Sequence, residues 1–302
     1  MTDSSTEKQR IDRVFDTGAK RASVPQDAGS GENHFEYPES HDATRSCASV
    51  SILGTPVSLI RLENAISNIM GYIEKREAQY VCVRDVHSLM CAVRDPEIMR
   101  ISRKAAMVTP DGMPLVWVSR WRTNFKTGRV AGADLVDALC RAGQTKNIRH
   151  YFYGGKAGVA ETMIAKLQAK YPKMSVAGFY SPPFRPLTDE EDKEIVDRIN
   201  ESGAQVVWVG VSTPKQEFWM RDHVGLIKGA TLIGVGAAFD FQSGVVARAP
   251  KWMQKSGLEW LHRLVSEPRR LWRRYFIIAP SFLLNVICEQ IKLYFARVAS
   301  WS

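Results

Sequence analysis

No two cysteines in this chain stand at C-x-x-C spacing. The five present, Cys47, Cys82, Cys91, Cys140 and Cys288, are scattered and odd in number. Neither a zinc site nor a disulfide framework is indicated, and a reducing compartment suits them. There is no D-x-D pair to hold a divalent cation on a nucleotide diphosphate, and no G-x-x-x-x-G-K-[ST] phosphate loop. The opening residues MTDSSTEKQRIDRVFD contain no apolar core, so a secretory signal is not expected. No internal repeat is visible. Residues 1–50 have few aliphatics and much Ser, Gly, Asp and Glu. Such a segment cannot bury enough surface to offset its ordering entropy, and a disordered polar leader is expected there.

What remains is ordinary globular material. The 302 residues are 45% hydrophobic and 24% charged, enough for a sizeable core without staples. From position 51 onward, strand-like and helix-like runs alternate. Strands are expected at 56–60, 80–83, 105–108, 150–153, 175–179, 206–210 and 231–235. The intervening segments carry helical spacing, as in 62–77, where Leu62, Ile66, Ile69, Met70 and Ile73 recur on one face. Thr188-Asp189-Glu190-Glu191 reads as a capping box. The alternation predicts an α/β core over 51–262, a Rossmann-like, mostly parallel sheet flanked by helices. A basic amphipathic C-terminal appendage is expected over 263–302.

In such folds ligands bind beyond the carboxyl ends of the strands. Those ends hold Arg84-Asp85, then Asp111 between Pro110 and Gly112, then Gly154-Gly155-Lys156. Later ends give Ser181 to Phe184, Thr213 to Glu217, and Gly234 to Asp240. Gly154 and Gly155 read as a phosphate nest at a helix start, or as a plain turn. Asp111 reads as a general base, or as the cap of the next helix. With no metal motif, a nucleotide's charge would fall to backbone N–H groups and to cations such as Arg129 and Lys215, either of which is also an ordinary surface charge. Gln216 suits hydrogen bonding to a sugar, or simple capping. Gly234-x-Gly236 is a partial dinucleotide fingerprint, but Phe239 stands where a small residue belongs. That leaves a nicotinamide-dependent oxidoreductase as an alternative.

Five segments in order, TPDGMPLVW, YFYGGKAG, GFYSPPF, GVSTPKQEFW and GVGAAFDFQSGVVARAPKWMQKSGLEWLHRL, together resemble the WecG/TagA/CpsF glycosyltransferases, family 26. The resemblance spans about residues 55 to 280. It implies a bacterial enzyme of cell-surface polysaccharide synthesis at the cytoplasmic face of the inner membrane. Such an enzyme moves a sugar from a UDP-sugar to a polyprenyl-diphosphate-linked acceptor, with inversion and without a metal or other cofactor. By position, the resemblance makes Asp111 the base and places Arg129, Gln216 and Asp85 in the active site. Gly154, Gly155, Lys215, Gly234 and Gly236 would lie at the donor, and Arg263, Arg270 and Arg273 at the acceptor's diphosphate. Many members have Thr-x-Asn where this chain has Val83-Arg84-Asp85, so the donor is a hexose or N-acetylhexosamine that the resemblance does not name.

The net charge of +9 is uneven. From Arg263 onward seven arginines and lysines face two glutamates, Glu267 and Glu289. Arg269, Arg270, Arg273 and Arg274 precede an apolar run at 276–288, too short to span a bilayer but long enough to lie in its interface. An anionic membrane is the expected partner; a helix packed on the sheet or in a homo-oligomer interface is the alternative. Nucleic acid is not expected, because no basic groove with stacking aromatics is indicated. A non-catalytic protein that sits on the membrane by its tail is the third functional alternative.

Overall fold

The computed structural model describes residues 47–299. The leader expected over 1–50 therefore lies almost wholly outside the described residues. The fold opens on an antiparallel hairpin, β1 (Ser49–Ile52) and β2 (Thr55–Ser58). Only β2 is foreshadowed in the sequence. Of the four β1 residues Ile52 alone is buried, so no alternating pattern marks the strand.

A regular alternation follows. It runs α1 (Leu62–Glu74), β3 (Gln79–Arg84), α2 (Val86–Arg94), α3 (Pro96–Lys104), β4 (Met107–Pro110), α4 (Met113–Thr123) and α5 (Gly132–Gly143). Then come β5 (Arg149–Gly154), α6 (Val159–Lys170), β6 (Ser175–Tyr180), α7 (Asp189–Glu201), β7 (Val206–Gly210), α8 (Lys215–His223) and β8 (Thr231–Gly234). β3 to β8 form one sheet in the order β4-β3-β8-β7-β5-β6, every pairing parallel. β8, late in sequence, lies between β3 and β7.

The strands are buried on both faces, as parallel sheets require. Val81, Phe152, Trp208 and Ile233 belong to one core cluster, with α1, α5 and α6. The residues pointing the other way, Cys82, Tyr151, Val207 and Leu232, join a second cluster with α3, α7 and α8. Each large side chain so buried is worth about 1.5–3 kcal/mol. Helix starts are fixed locally. Asp85 and Ser88 form a capping box on α2, Asp95 caps α3, and Thr188 with Glu191 caps α7.

After β8 the chain breaks into short helices, α9 (Ala238–Ser243), α10 (Lys251–Ser256), α11 (Glu259–Ser266) and α12 (Pro268–Arg273). Gly244 and Gly257 end α9 and α10 in the left-handed conformation. A π-helical turn, Arg274–Ile278, then leads into α13 (Ala279–Ala299). The sequence suggests an apolar run too short to span a bilayer. The helical stretch Pro268–Ala296 instead has 29 residues and, by length and composition alone, is apolar enough to cross a membrane. One face of it is fastened to the body. Phe282 and Val286 are buried in a third cluster with Ile52, Leu89, Leu115 and Val118. One helical turn on, the Glu289 carboxylate accepts hydrogen bonds from the Leu53 N–H at 3.1 Å and from Arg122 at 2.7 Å. The opposite face, including Phe276, Leu283, Leu284 and Ile287, is exposed.

Candidate active site

A cleft of about 440 Å³ opens at the carboxyl ends of β4, β3, β8 and β7. Its sheet-side wall holds Val83 near the end of β3 and Asp85 just after it, Asp111 after β4, Ser212 and Thr213 after β7, and Gly236 and Asp240 after β8. Its opposite wall comes from the segment after β8, with Arg248, Glu259, Trp260, Arg263, Arg270, Arg274 and Tyr275.

Asp111 is held by its backbone. Its N–H donates to the Arg84 carbonyl at 2.8 Å, and its own carbonyl accepts from Arg129 Nε at 2.6 Å. α4 starts on Gly112 with no side-chain cap, so the Asp111 carboxylate is not used as one. Arg129 Nη2 lies 3.3 Å from Asp111 Oδ1 and 2.6 Å from Glu259 Oε2. Burial pushes the Asp111 carboxyl above its ordinary range. Arg129 and Arg263 oppose the rise, while Asp85 and Glu259 add to it. A carboxylate raised in this way, open to a cleft, is a stronger base than an ordinary aspartate.

Asp85 is differently placed. It spends one oxygen on the Ser88 N–H at 2.8 Å, and its other oxygen lies 3.9 Å from Arg274. Burial pushes its carboxyl up, but Arg274, His87 and the Ser88 hydrogen bonds outweigh burial and leave it below its ordinary range. Two carboxylates in one cleft are thus driven apart, one toward basicity and one toward permanent charge.

Beneath the cleft floor lies an ion pair the sequence did not announce. Arg84 is wholly buried, with Nη1 2.8 Å from Glu217 Oε1 and Nη2 donating to Ser102 Oγ at 2.8 Å. Thr213 and Gln216 donate to the same Glu217 oxygen at 2.9 and 3.2 Å, and Gln216 Oε1 accepts the Gly236 N–H at 3.0 Å. The network ties β3, the start of α8 and the loop after β8 into one unit. Of Val83-Arg84-Asp85, then, the first and third face the cleft and the second faces the core.

The structure gathers Asp85, Asp111, Arg129, Gln216, Gly236, Arg263 and Arg270 around the cleft. Gly154, Gly155, Lys215, Gly234 and Arg273 lie outside its lining. The reason for the first two is topological. β5 sits beyond β7, one strand outside the cleft. Their identity follows from packing. A Cβ on Gly154 would come within 2.6 Å of the Gly210 backbone, and one on Gly155 within 3.3 Å of Phe239. The Gly155 N–H is already donated to the Gly210 carbonyl. Phe239 is a buried ring packed against Gly155 and Gly210, edge-on to Phe152 at 6.3 Å. A buried aromatic ring thus stands at the position where a dinucleotide fingerprint has its third small residue. Gly234 lies in β8, where a Cβ would strike Met220 at 2.7 Å. Lys215 is exposed, with its ammonium over the Phe184 ring.

Arg274 lines the cleft where Arg273 was expected. Helical register explains it, since Arg270 and Arg274 are four apart and share a face. Glu259, Arg248 and Tyr275 were also missed. Arg248 grips Asp134 through two hydrogen bonds of 2.5 and 2.9 Å and approaches Glu259 at 3.5 Å. Arg263 stacks over Phe241 at 5.2 Å, and its buried Nε has no hydrogen-bond partner among the described residues. Among the described residues no group of three or more His, Cys, Asp or Glu side chains is arranged to hold a metal ion.

The family described as "Glycosyl transferase WecG/TagA/CpsF family" matches residues 50–295. The N-acetylglucosaminyldiphosphoundecaprenol N-acetyl-beta-D-mannosaminyltransferase of Bacillus subtilis (strain 168) is 30% identical over 220 residues, which is 72% of this chain and 83% of that protein. The protein of the same name from Bacillus spizizenii is 29% identical over 216 residues, 72% of this chain and 81% of that one. The match embraces the sheet, the cleft and the arginine-bearing segment alike, and the chain belongs to the WecG/TagA/CpsF family of glycosyltransferases.

Proposed function

We propose that the chain moves a hexose or N-acetylhexosamine from a UDP-sugar to a sugar carried on polyprenyl diphosphate. The setting is bacterial cell-surface polysaccharide synthesis at the cytoplasmic membrane face. The names of the two Bacillus relatives support the acceptor class, since both act on an undecaprenyl-diphosphate-linked sugar. The observation that carries the reading is Asp111, its backbone fixed by Arg84 and Arg129 and its carboxylate turned basic within the cleft.

In this reaction the acceptor hydroxyl oxygen attacks the anomeric carbon while its proton passes to the Asp111 carboxylate. The bond from that carbon to the diphosphate oxygen breaks, and UDP leaves with the electron pair. A single displacement inverts the anomeric centre. Arg263, Arg270 and Arg274 converge on the cleft and supply positive charge for a diphosphate, so that the reaction proceeds without a metal ion. Arg129, pinned between Asp111 and Glu259, orients the base; Gln216 holds the Gly236 loop. Val83 offers the sugar an apolar surface and Asp85 a charged one, so the donor need not match that of the mannosaminyl relatives. The exposed face of α13 and the arginines before it rest on the anionic leaflet.

Asp111→Asn tests the reading. With purified protein, a panel of UDP-sugars and a lipid-diphosphate acceptor, turnover is expected to fall by roughly 10²-fold or more. UDP should still raise the melting temperature. Turnover near the wild-type rate excludes Asp111 as the base.

A further inference from the structure

Helix α4 leaves the rim of the cleft and turns its outer face to solvent. Met113 and Pro114, at its start, line the cleft, as does Ala279 at the start of α13. The two helices therefore begin at the same opening. They lie against each other through Leu115 and Val118 of α4 and Phe282 and Val286 of α13, and through the Arg122–Glu289 ion pair. On its outer side α4 exposes Trp117 at 51% and Trp121 at 61%, with Phe125 just past its end at 44%. Beside Phe125 a shallow depression is lined by Arg61, Arg120, Asn124 and Lys126. Arg61 and Arg120 donate their Nε hydrogens to the backbone carbonyls of Lys126 and Thr127, at 2.9 and 2.8 Å, and not to carboxylates.

Two Trp rings and a Phe beside cations that have no carboxylate partner among the described residues have the composition of a headgroup-level contact. A second copy of the chain is a poor occupant. In a two-fold interface the same patch meets itself, and three cations would face three cations. We propose that the outer face of α4 and its cationic depression form a second membrane-contact element, bound to anionic lipid and level with the outer face of α13. The two helices then seat the mouth of the cleft at the bilayer surface. The proposal goes beyond the reaction assigned above and needs no sugar transfer, because it is read with lipid alone.

The test is vesicle sedimentation of the full chain with phosphatidylcholine vesicles containing about a third phosphatidylglycerol. A Trp117→Ser, Trp121→Ser, Phe125→Ser variant is expected to lose roughly tenfold or more in vesicle affinity. An Arg61→Gln, Arg120→Gln, Lys126→Gln variant should lose at least tenfold on anionic vesicles and little on pure phosphatidylcholine. Both should keep the UDP-induced rise in melting temperature and the transfer rate on a water-soluble, short-chain acceptor, which separates failure of this proposal from failure of the active-site reading. In the unaltered protein, vesicles should slow amide hydrogen exchange over 120–127. Unchanged affinity in both variants, or slowed exchange in α13 with none over 120–127, overturns the proposal. So does a wild-type dimer that the aromatic variant converts to monomer with vesicle binding intact.

Discussion

The two walls of the cleft are built on opposite plans. On the sheet side Asp85, Asp111 and Gln216 are held from behind. Asp111 is fixed by Arg84 and Arg129, Asp85 by Ser88, and Gln216 by Glu217 and Gly236. The charges there are acidic. The wall that follows β8 is cationic; Arg248 is clamped to Asp134, but the other three arginines are lightly held. Arg274 reaches Asp85 only at 3.9 Å, Arg263 leans on a ring, and Arg270 pairs with Glu267 beside it. A preorganised wall serves chemistry, which loses rate with small misplacement. On the reaction proposed above, the looser cationic wall would capture and release the charged substrate.

That contrast can be broken in graded ways. The largest expected effect is the loss of turnover in Asp111→Asn described above. Next, Arg263→Ala and Arg274→Ala should each raise the KM for the lipid-diphosphate acceptor by roughly 10–100-fold, the worth of a lost hydrogen bond to a charged group. Their kcat should stay within a few-fold, and Arg273→Ala should do little. Equal loss in all three would show that register does not select the cleft-facing arginines. These substitutions are cleaner than truncation after position 262. Truncation would also strip Phe282 and Val286 from Ile52, Leu89 and Leu115, and loss of a buried Phe alone costs about 3–5 kcal/mol.

A smaller effect is expected where the walls meet. Glu259 comes from the cationic wall yet pairs with Arg129, and its charge helps raise Asp111. Asp111 must be ionised to accept a proton, so activity is present above its pKa and lost as pH falls through it. Because that pKa is raised, the acid limb of kcat/KM should sit above the ordinary aspartate range. In Glu259→Gln the limb should move to lower pH, with a plateau lower by roughly tenfold, as a weaker base predicts. The least effect is on stability. Folded Asp111 has a raised pKa, so above that pKa its ionised form costs the native state free energy relative to the unfolded chain. Asp111→Asn should therefore melt at or above the wild-type temperature at pH 7, with the difference shrinking as pH falls through the Asp111 pKa.

The parallel sheet and the strand-end position of Asp111 were legible because both follow from short-range pattern. Hydrophobic runs mark the buried strands, and Pro110 and Gly112 mark where β4 must stop. What was not legible depended on register or on distant partners. Arg84 reads as half of a polar turn, and only the position of α8 reveals Glu217 as its counter-ion, 133 residues away. Arg273 and Arg274 are indistinguishable until the phase of α12 is known, and Pro268 resets that phase just upstream. Glu259 lay in a recognised segment, but nothing local tells a capping glutamate from one that reaches Arg129. Gly154 and Gly155 are ambiguous for the opposite reason. A glycine pair at a strand end looks the same whether it cradles a phosphate or lets neighbouring backbone and side chains pack closely, as Gly210, Val159 and Phe239 do here.

The place of β8 bears on how the protein comes to exist. The strand that joins β3 to β7 is the last of the sheet to leave the ribosome. Without Thr231–Gly234, β3 lacks a partner on its side away from β4 and β7 lacks one on its side away from β5, so nothing joins the two halves of the sheet. Such edges invite wrong partners. Insertion of β8 satisfies both at once, and in the same step sets Gly236 against Gln216 and delivers the arginine-bearing segment to the mouth of the cleft. Closure of the sheet and assembly of the cleft thus depend on the same short strand.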